Sequence, residues 1–461
     1  MSYPSSELLI DPLLIRKYAV NSPTYTSYPT TDRFVEAFGE DMFCFWLSSR
    51  NIGGIARPLA LHIHLPFCRQ LSFATTSGRR AAGDSAPALK YVDYLGREIG
   101  LTAGLLGRER QVSQIHWAGV TPSILLRDTL QAFCKLLESN FAIATDCDVS
   151  IEVDPRRYSS GAVASLRELG FNRVSFGIKA DSHNEAHRIR PETLTRRAVG
   201  EARAAGFHSI NCDLTYGLPQ QTLVSFDHTL DRVLGLEPDR ITLHKFAPRT
   251  TGLVPKSLIP KPAPPSIETQ LQIRTLAIGR LMRAGYLYIG MDHFAKPADD
   301  LAVAQRQGRL LRNCQGYSTR PDCDLLGFGP SAISRVGPCY SLNAGNLKHY
   351  CAALEGAHLP VRTGLVLSKD DLVRRAVIQA LLCQFRLSIE SIQTAYLLDF
   401  SRYFATELDE LSALEADGLV EIQPDWIVIT PPGRLLVPVV CMIFDSYLRE
   451  GRGWAGFPEV V

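Results

Sequence analysis

Between residues 58 and 365 the chain alternates short apolar runs with longer stretches of helical spacing, and this alternation limits the fold more than any other feature. Leu59–Leu65, Ser113–Trp117, Val149–Val153, Arg173–Ile178, His208–Tyr216 and Arg240–Phe246 read as strands. Tyr91–Leu106, Gly161–Leu169, Arg196–Ala205, Ser225–Leu234 and Glu268–Ala284 read as helices. Gly170, Gly206 and Gly285 follow three of these helices, as residues that close a helix do. Strands that alternate with helices at this spacing pair in parallel through right-handed crossovers, because only that hand packs the helix back onto the sheet. The repeat predicts an α/β part-barrel with its chemistry at the C-terminal ends of the strands. Leu253–Pro265 is proline-rich and reads as a surface loop.

The flanks differ. Residues 1–57 read as an irregular arm, and the two prolines of Pro23–Pro29 predict an extended segment. From residue 366 the alternation stops. Ser368–Phe385, Ser388–Leu398, Phe400–Asp417 and Gly433–Leu448 have helical spacing, and Leu419–Ile422 with Trp426–Thr430 reads as a hairpin. The predicted division is an N-terminal arm (1–57), a part-barrel (58–365) and a C-terminal helical, winged-helix-like domain (366–461). A winged helix that reads DNA needs a basic recognition helix, whereas Phe400–Asp417 carries more acid than base, which favours a packing or lid role.

Charge and cysteine usage narrow the function. The net charge is +2 from 49 basic and 47 acidic residues, which gives no electrostatic reason to expect nucleic acid or an anionic membrane. The longest apolar run, within Leu435–Phe444, falls short of the roughly 20 residues a membrane span needs. Met1–Tyr18 carries Glu7 and Asp11 and no small-residue cleavage site, unlike a signal peptide. The expectation is a cytoplasmic protein without nucleic-acid or membrane partners. Eleven cysteines at scattered positions, with no CxxC pair, read as free thiols.

The segment His62–Cys68, His-Ile-His-Leu-Pro-Phe-Cys, resembles the opening of the radical S-adenosylmethionine motif of the oxygen-independent coproporphyrinogen III oxidases. The resemblance extends to Tyr25–Phe34, Ser150–Pro155, Gly170–Gly177, Asn211–Gln221, Ile289–Pro297, Leu301–Arg306, Arg312–Ser334 and Arg434–Leu448, essentially the whole chain. It implies a radical-SAM-type partial (β/α) barrel and a place in porphyrin and haem biosynthesis. Members of the family decarboxylate two propionates of coproporphyrinogen III to vinyl groups, giving protoporphyrinogen IX. They use S-adenosylmethionine and a [4Fe–4S] cluster held by three cysteines.

This chain departs from that pattern at the cluster loop. Cys68 matches the first ligand, but Ser72 and Thr75 stand where the second and third cysteines belong, and Ser77 replaces a further one. Clusters of this kind are held by thiolates, and an aliphatic hydroxyl does not ionise at working pH. The family's Gly-Gly-Gly-Thr-Pro turn is here Ala118-Gly-Val120-Thr-Pro122, its Gly-Val-Gln is Gly177-Ile-Lys179, and the tyrosine at the start of the cluster strand is His62. By the same resemblance Glu152, Asp213, Arg190, Gly119 and Lys179 mark a vestigial S-adenosylmethionine site. His64, His116 and His293 lack the i, i+4 spacing of a helical zinc motif. The leading expectation is a cluster-less family member that binds a tetrapyrrole as carrier or regulator. The alternatives are an active oxidase, with a thiol such as Cys314 or Cys323 completing the ligand set, and a protein partner of an intact paralogue.

Overall fold

The computed structural model describes residues 12–18, 20–50, 57–65, 86–107, 110–119, 127–155, 161–178, 191–246 and 264–449. Cys68, Ser72, Thr75, Ser77, Val120, Lys179, Arg190 and most of the 253–265 loop lie outside them.

Six parallel strands form the wall: β1 (Leu59–His64), β2 (Gln111–Ala118), β3 (Ala142–Val153), β4 (Arg173–Ile178), β5 (Ser209–Tyr216) and β6 (Arg240–Lys245). They pair in sequence order, β1 to β6. An antiparallel pair, β7 (Leu287–Gly290) and β8 (His293–Ala295), extends the β6 side. A short hairpin, β9 (Leu311–Asn313) and β10 (Gly316–Ser318), forms a separate two-stranded sheet packed against the wall, where Ser318 donates to Gln114 at 2.8 Å. On the other side β11 (Asp324–Phe328) joins β1 in parallel, and β12 (Ile333–Val336), β13 (Cys339–Asn343) and β14 (Val361–Val366) continue antiparallel. The result is an open twelve-stranded sheet, the part-barrel that the alternation predicts.

The strands divide their side chains by parity, as the pleat requires. Leu61, Ile63, Trp117, Ile151, Phe176 and Ile210 point outward and are buried in one apolar cluster with Leu95, Ile99, Phe133 and Val199 of the covering helices. The alternate residues face the inside of the wall and are largely polar. Helix ends follow local signals: Thr222 and Ser225 form a reciprocal capping box before Leu223–Leu234, and Ser368 and Asp371 do the same before Lys369–Gln384.

Three expectations need correction. Residues 1–57 are not uniformly irregular: Glu40–Ser48 is a helix, with Glu40 and Asp41 in its first turn and Phe43 and Leu47 buried one turn apart. The predicted helix Phe400–Asp417 breaks at Phe404, which is fully buried between Phe400–Tyr403 and Ala405–Ala416 and packs its ring on Phe400 and Phe444. The predicted helix Gly433–Leu448 is three short ones, Pro431–Arg434, Val437–Ile443 and Ser446–Arg449. Pro438 near the start of the second and the buried Asp445 before the third mark the breaks.

The C-terminal hairpin is present as β16 (Val420–Ile422) and β17 (Trp426–Ile429), and β15 (Arg386–Ser388) adds a third strand to it. The arm links this domain to the large sheet, where Val35 pairs with Gly364 of β14, and to the β9–β10 hairpin. Tyr25 and Tyr28 are fully buried; Tyr25 donates to Asp445 at 3.1 Å, and Tyr28 meets the Ser446 hydroxyl at 3.2 Å. Arg312 donates from β9 to the Thr24 carbonyl at 3.2 Å.

Candidate functional site

The inward faces of β2 to β6 enclose a cavity of about 200 Å³. Gln114, His116, Ser150, Glu152, Ser175, Asn211, Asp213, Thr242 and His244 line it, with His293, Gln315 and Tyr317 closing one side. Arg173 and Arg240, at the first residues of β4 and β6, form the floor. Their charges are met by Asp148 and Asp300, and by Asp299, respectively.

Two histidine–carboxylate pairs face each other across the upper part of this cavity. On β2 and β3, His116 Nε2 lies 3.6 Å from Glu152 Oε1, and His116 Nδ1 meets the Ser150 hydroxyl at 2.7 Å. The Gly119 N–H donates to Glu152 Oε2 at 3.1 Å. Burial alone would raise the Glu152 carboxyl, but His116 and the Gly119 N–H outweigh it and hold the group below the ordinary range. On β5 and β6, His244 Nε2 lies 3.3 Å from Asp213 Oδ1, Asn211 donates to the same oxygen at 2.8 Å, and the Ser175 hydroxyl donates to the other. Burial pushes Asp213 up and His244 down. The contact between them prevails in both, so the carboxyl is lowered and the imidazole raised.

Burial holds His62, His64 and His293 below the ordinary imidazole value. His62 stacks on His116 with ring centroids 5.5 Å apart, and burial followed by the neighbouring His116 and His64 lowers it well below its ordinary value. Its Nδ1 is buried without a hydrogen-bond partner, as is Gln315 Oε1. His293 donates from Nδ1 to the Met291 carbonyl at 2.7 Å, and burial pushes it down to about 3. Tyr317 packs on its ring and requires glycine at 290, where a Cβ would fall 2.4 Å from the tyrosine oxygen.

Gly119 has φ +84°, and a Cβ there would lie 2.8 Å from the Leu65 carbonyl, so this position also requires glycine. Ala118 ends β2 paired with His64, where extended backbone accepts a Cβ.

Of the predicted site residues, the structure brings Glu152, Gly119 and Asp213 to the C-terminal end of the cavity; Cys68, Lys179 and Arg190 lie outside the described residues. His244, Ser175, Asn211, Arg173 and Arg240 complete the site and were not singled out from the sequence. Strand parity is the available signal: Asp213 faces inward on β5 in register with Gly177 and Thr242, so Ser175 and His244, two residues from those partners, face inward too.

The residues present do not fit a [4Fe–4S] cluster. The loop offers one thiol and two hydroxyls. Cys314 and Cys323 do not make up the deficit, because they pack against Ala60 and Leu325. Ala60 precedes His64 by four residues, roughly 13 Å down the strand at 3.3 Å per residue, away from the end that leads to Cys68. Burial also pushes Cys314 up to about 12 and Cys323 up to about 11, which keeps both thiols protonated. Among the described residues no three His, Cys, Asp or Glu side chains are placed to hold a metal ion, and no helix is long and apolar enough to cross a membrane.

Wall, crossovers and polar interior define a radical-SAM-type part-barrel. Residues 90–233 match the Radical SAM superfamily, and residues 367–436 match the HemN C-terminal domain. Over 455 residues, 98% of each chain, the protein is 41% identical to the oxygen-independent coproporphyrinogen III oxidase of Escherichia coli. It is 40% identical to that of Pseudomonas aeruginosa, over 94% of this chain and 95% of the relative. The solved structure of the E. coli protein, described as a radical SAM enzyme, superposes with a TM-score of 0.86 over 95% of this chain and 99% of its own, at 39% identity. The chain belongs to the oxygen-independent coproporphyrinogen III oxidase family.

Proposed function

We propose that this protein serves tetrapyrrole metabolism as a carrier or regulator and performs no radical chemistry of its own. One observation carries the reading: of the three positions that hold the cluster in its relatives, only Cys68 offers a thiolate. Tetrapyrrole binding rests on the similarity that runs through Ile289–Pro297 and Arg312–Ser334 and on the relatives' activity.

The cavity bears on how such a ligand is held. About 200 Å³ is below the roughly 300–1,000 Å³ of pockets for drug-sized ligands, and most of the residues that line it carry polar groups. A macrocycle would lie across the mouth, with polar groups alone reaching down to Glu152, Asp213 and His244. Absorbance titration with coproporphyrin III is the test. Saturable binding with a shifted Soret band supports the reading, and an unchanged spectrum sinks it.

Full-length identity to enzymes named as oxidases favours a second reading, an active coproporphyrinogen III oxidase. That reading requires a four-iron cluster and cleavage of S-adenosylmethionine. A third role, as partner of an intact paralogue, would show as co-purification of the two chains.

A further inference from the structure

The helix Ala86–Leu105 carries a carboxyl group that the cavity does not use. Glu98 is 2% exposed and sits behind the rim of the wall, where β1 ends. Three donors converge on it. The Gly329 N–H reaches Oε2 at 2.9 Å, the Tyr350 hydroxyl reaches the same oxygen at 2.5 Å, and Asn343 Nδ2 reaches Oε1 at 2.6 Å. Asn343 also donates to the Gly329 carbonyl at 3.0 Å, so the turn after β11 is held at both its backbone groups. Tyr91, on the same helix as Glu98, donates to the His64 carbonyl at 2.6 Å. A Cβ at Gly329 would lie 2.6 Å from the Tyr91 oxygen and 2.7 Å from the His64 oxygen, so this turn seats directly on the last residue of β1.

No cation balances this carboxylate among the described residues. The titratable groups around it are Tyr91 from its own helix, Tyr350 and Cys351 from Leu347–Glu355, and His64 from β1, whose ring turns toward Gly119 on the cavity side. A small cavity beside it is lined by the uncharged Phe43, Gly327, Phe328 and Asn343 from the helix Glu40–Ser48, β11 and β13. A buried carboxylate held only by neutral donors keeps its charge through hydrogen bonds alone.

We propose that Glu98 is a proton-controlled tie between the Gly329 turn and the helix Ala86–Leu105, whose Tyr91 holds the end of β1, tight when the carboxylate is charged and slack when it is protonated. Protonation places an O–H where two donors already point. Tyr350 must then turn to accept, and the Gly329 N–H is left with a neutral, weaker acceptor. Burial pushes the carboxyl up to about 7 against these hydrogen bonds, so the change falls at neutral pH. The rim of the barrel mouth is therefore firmer in mildly alkaline than in mildly acidic solution.

Hydrogen–deuterium exchange of the full chain, corrected for intrinsic rate and read on peptides that span Gly329, tests the tie. Protection should fall severalfold as the pH drops through about 7. Glu98→Gln should abolish the step. Tyr350→Phe removes a donor that favours the charge and should move the midpoint upward. A flat profile in the natural chain, or an undiminished step in Glu98→Gln, overturns the proposal. Should Glu98→Gln not fold, Tyr350→Phe decides alone: a raised midpoint supports the tie, and an unmoved one overturns it.

Discussion

The two faces of the same parallel strands are built from different chemistry. Outward, Leu61, Ile63, Trp117, Ile151 and Phe176 pack under helices; inward, His62, His116, Glu152, Ser175 and Asp213 surround a polar cavity. A parallel sheet covered on both faces usually reads as unbroken apolar runs. Here the runs alternate, as in Leu61-His62-Ile63-His64 and Asn211-Cys212-Asp213-Leu214. The difference teaches that fold and chemistry are separable in this protein. The apolar face holds the family's architecture independently of the residues that line the cavity.

Substitutions on the two faces test that separation. The largest effect belongs outside. Phe176→Ala empties a fully buried site and should cost about 3–5 kcal/mol, read as a shift in the urea midpoint. A comparable loss of stability from its inward neighbour Ser175→Ala would break the comparison. Next comes Glu98, a titratable group on the helix side. Its folded-state value of about 7 lies above the ordinary 4.5, so the folded state holds a proton that the unfolded state releases in between. Stability should therefore fall as the pH rises from 4.5 to about 7 and level off above, by on the order of 3 kcal/mol. Thermal unfolding across that range should show the fall in the natural chain and lack it in Glu98→Gln.

The inward effects are smaller. Ser175→Ala removes the hydrogen bond donated to Asp213 and the one accepted from Asn211 and should cost about 1–2 kcal/mol, measured in the same urea experiment. His244→Gln should change stability least, by about 0.2–1 kcal/mol, because the His244 side chain is 55% exposed and its pairing is solvent-screened. The sign follows from the shifts. Asp213 is lowered, so its contribution is present above 3.8 and lost as the pH falls through its folded value. His244 is raised, so its contribution is present below 6.5 and lost as the pH rises through its folded value. His244→Gln should abolish the alkaline loss in a thermal-unfolding series while leaving the outer core intact.

Much of this was legible in the sequence, for a physical reason. Repeated βαβ units impose their own topology, so β1 to β6 follow from the alternation. What the sequence hid depends on packing between distant segments. The break at Phe404 arises from rings brought together across the C-terminal domain, and the helix Glu40–Ser48 is fixed by its contact with β13 and β14. In the site, Glu152 and Asp213 are legible through resemblance, whereas His244 acquires meaning only from its side-chain contact with Asp213 across the β5–β6 pair, two residues beyond Asp213's own partner Thr242. The position of Cys314 and Cys323 beside Ala60 was likewise invisible before the hairpin β9–β10 was seen against the wall.

Anaerobic iron–sulfur reconstitution tests the central claim most directly, on the natural chain and on the Ser72→Cys/Thr75→Cys variant, which restores the missing thiols. The account predicts no stable cluster in the natural chain and a gain of bound iron with thiolate-to-iron absorbance in the variant. About four irons per natural chain, together with cleavage of S-adenosylmethionine, would contradict it and make the protein an oxidase.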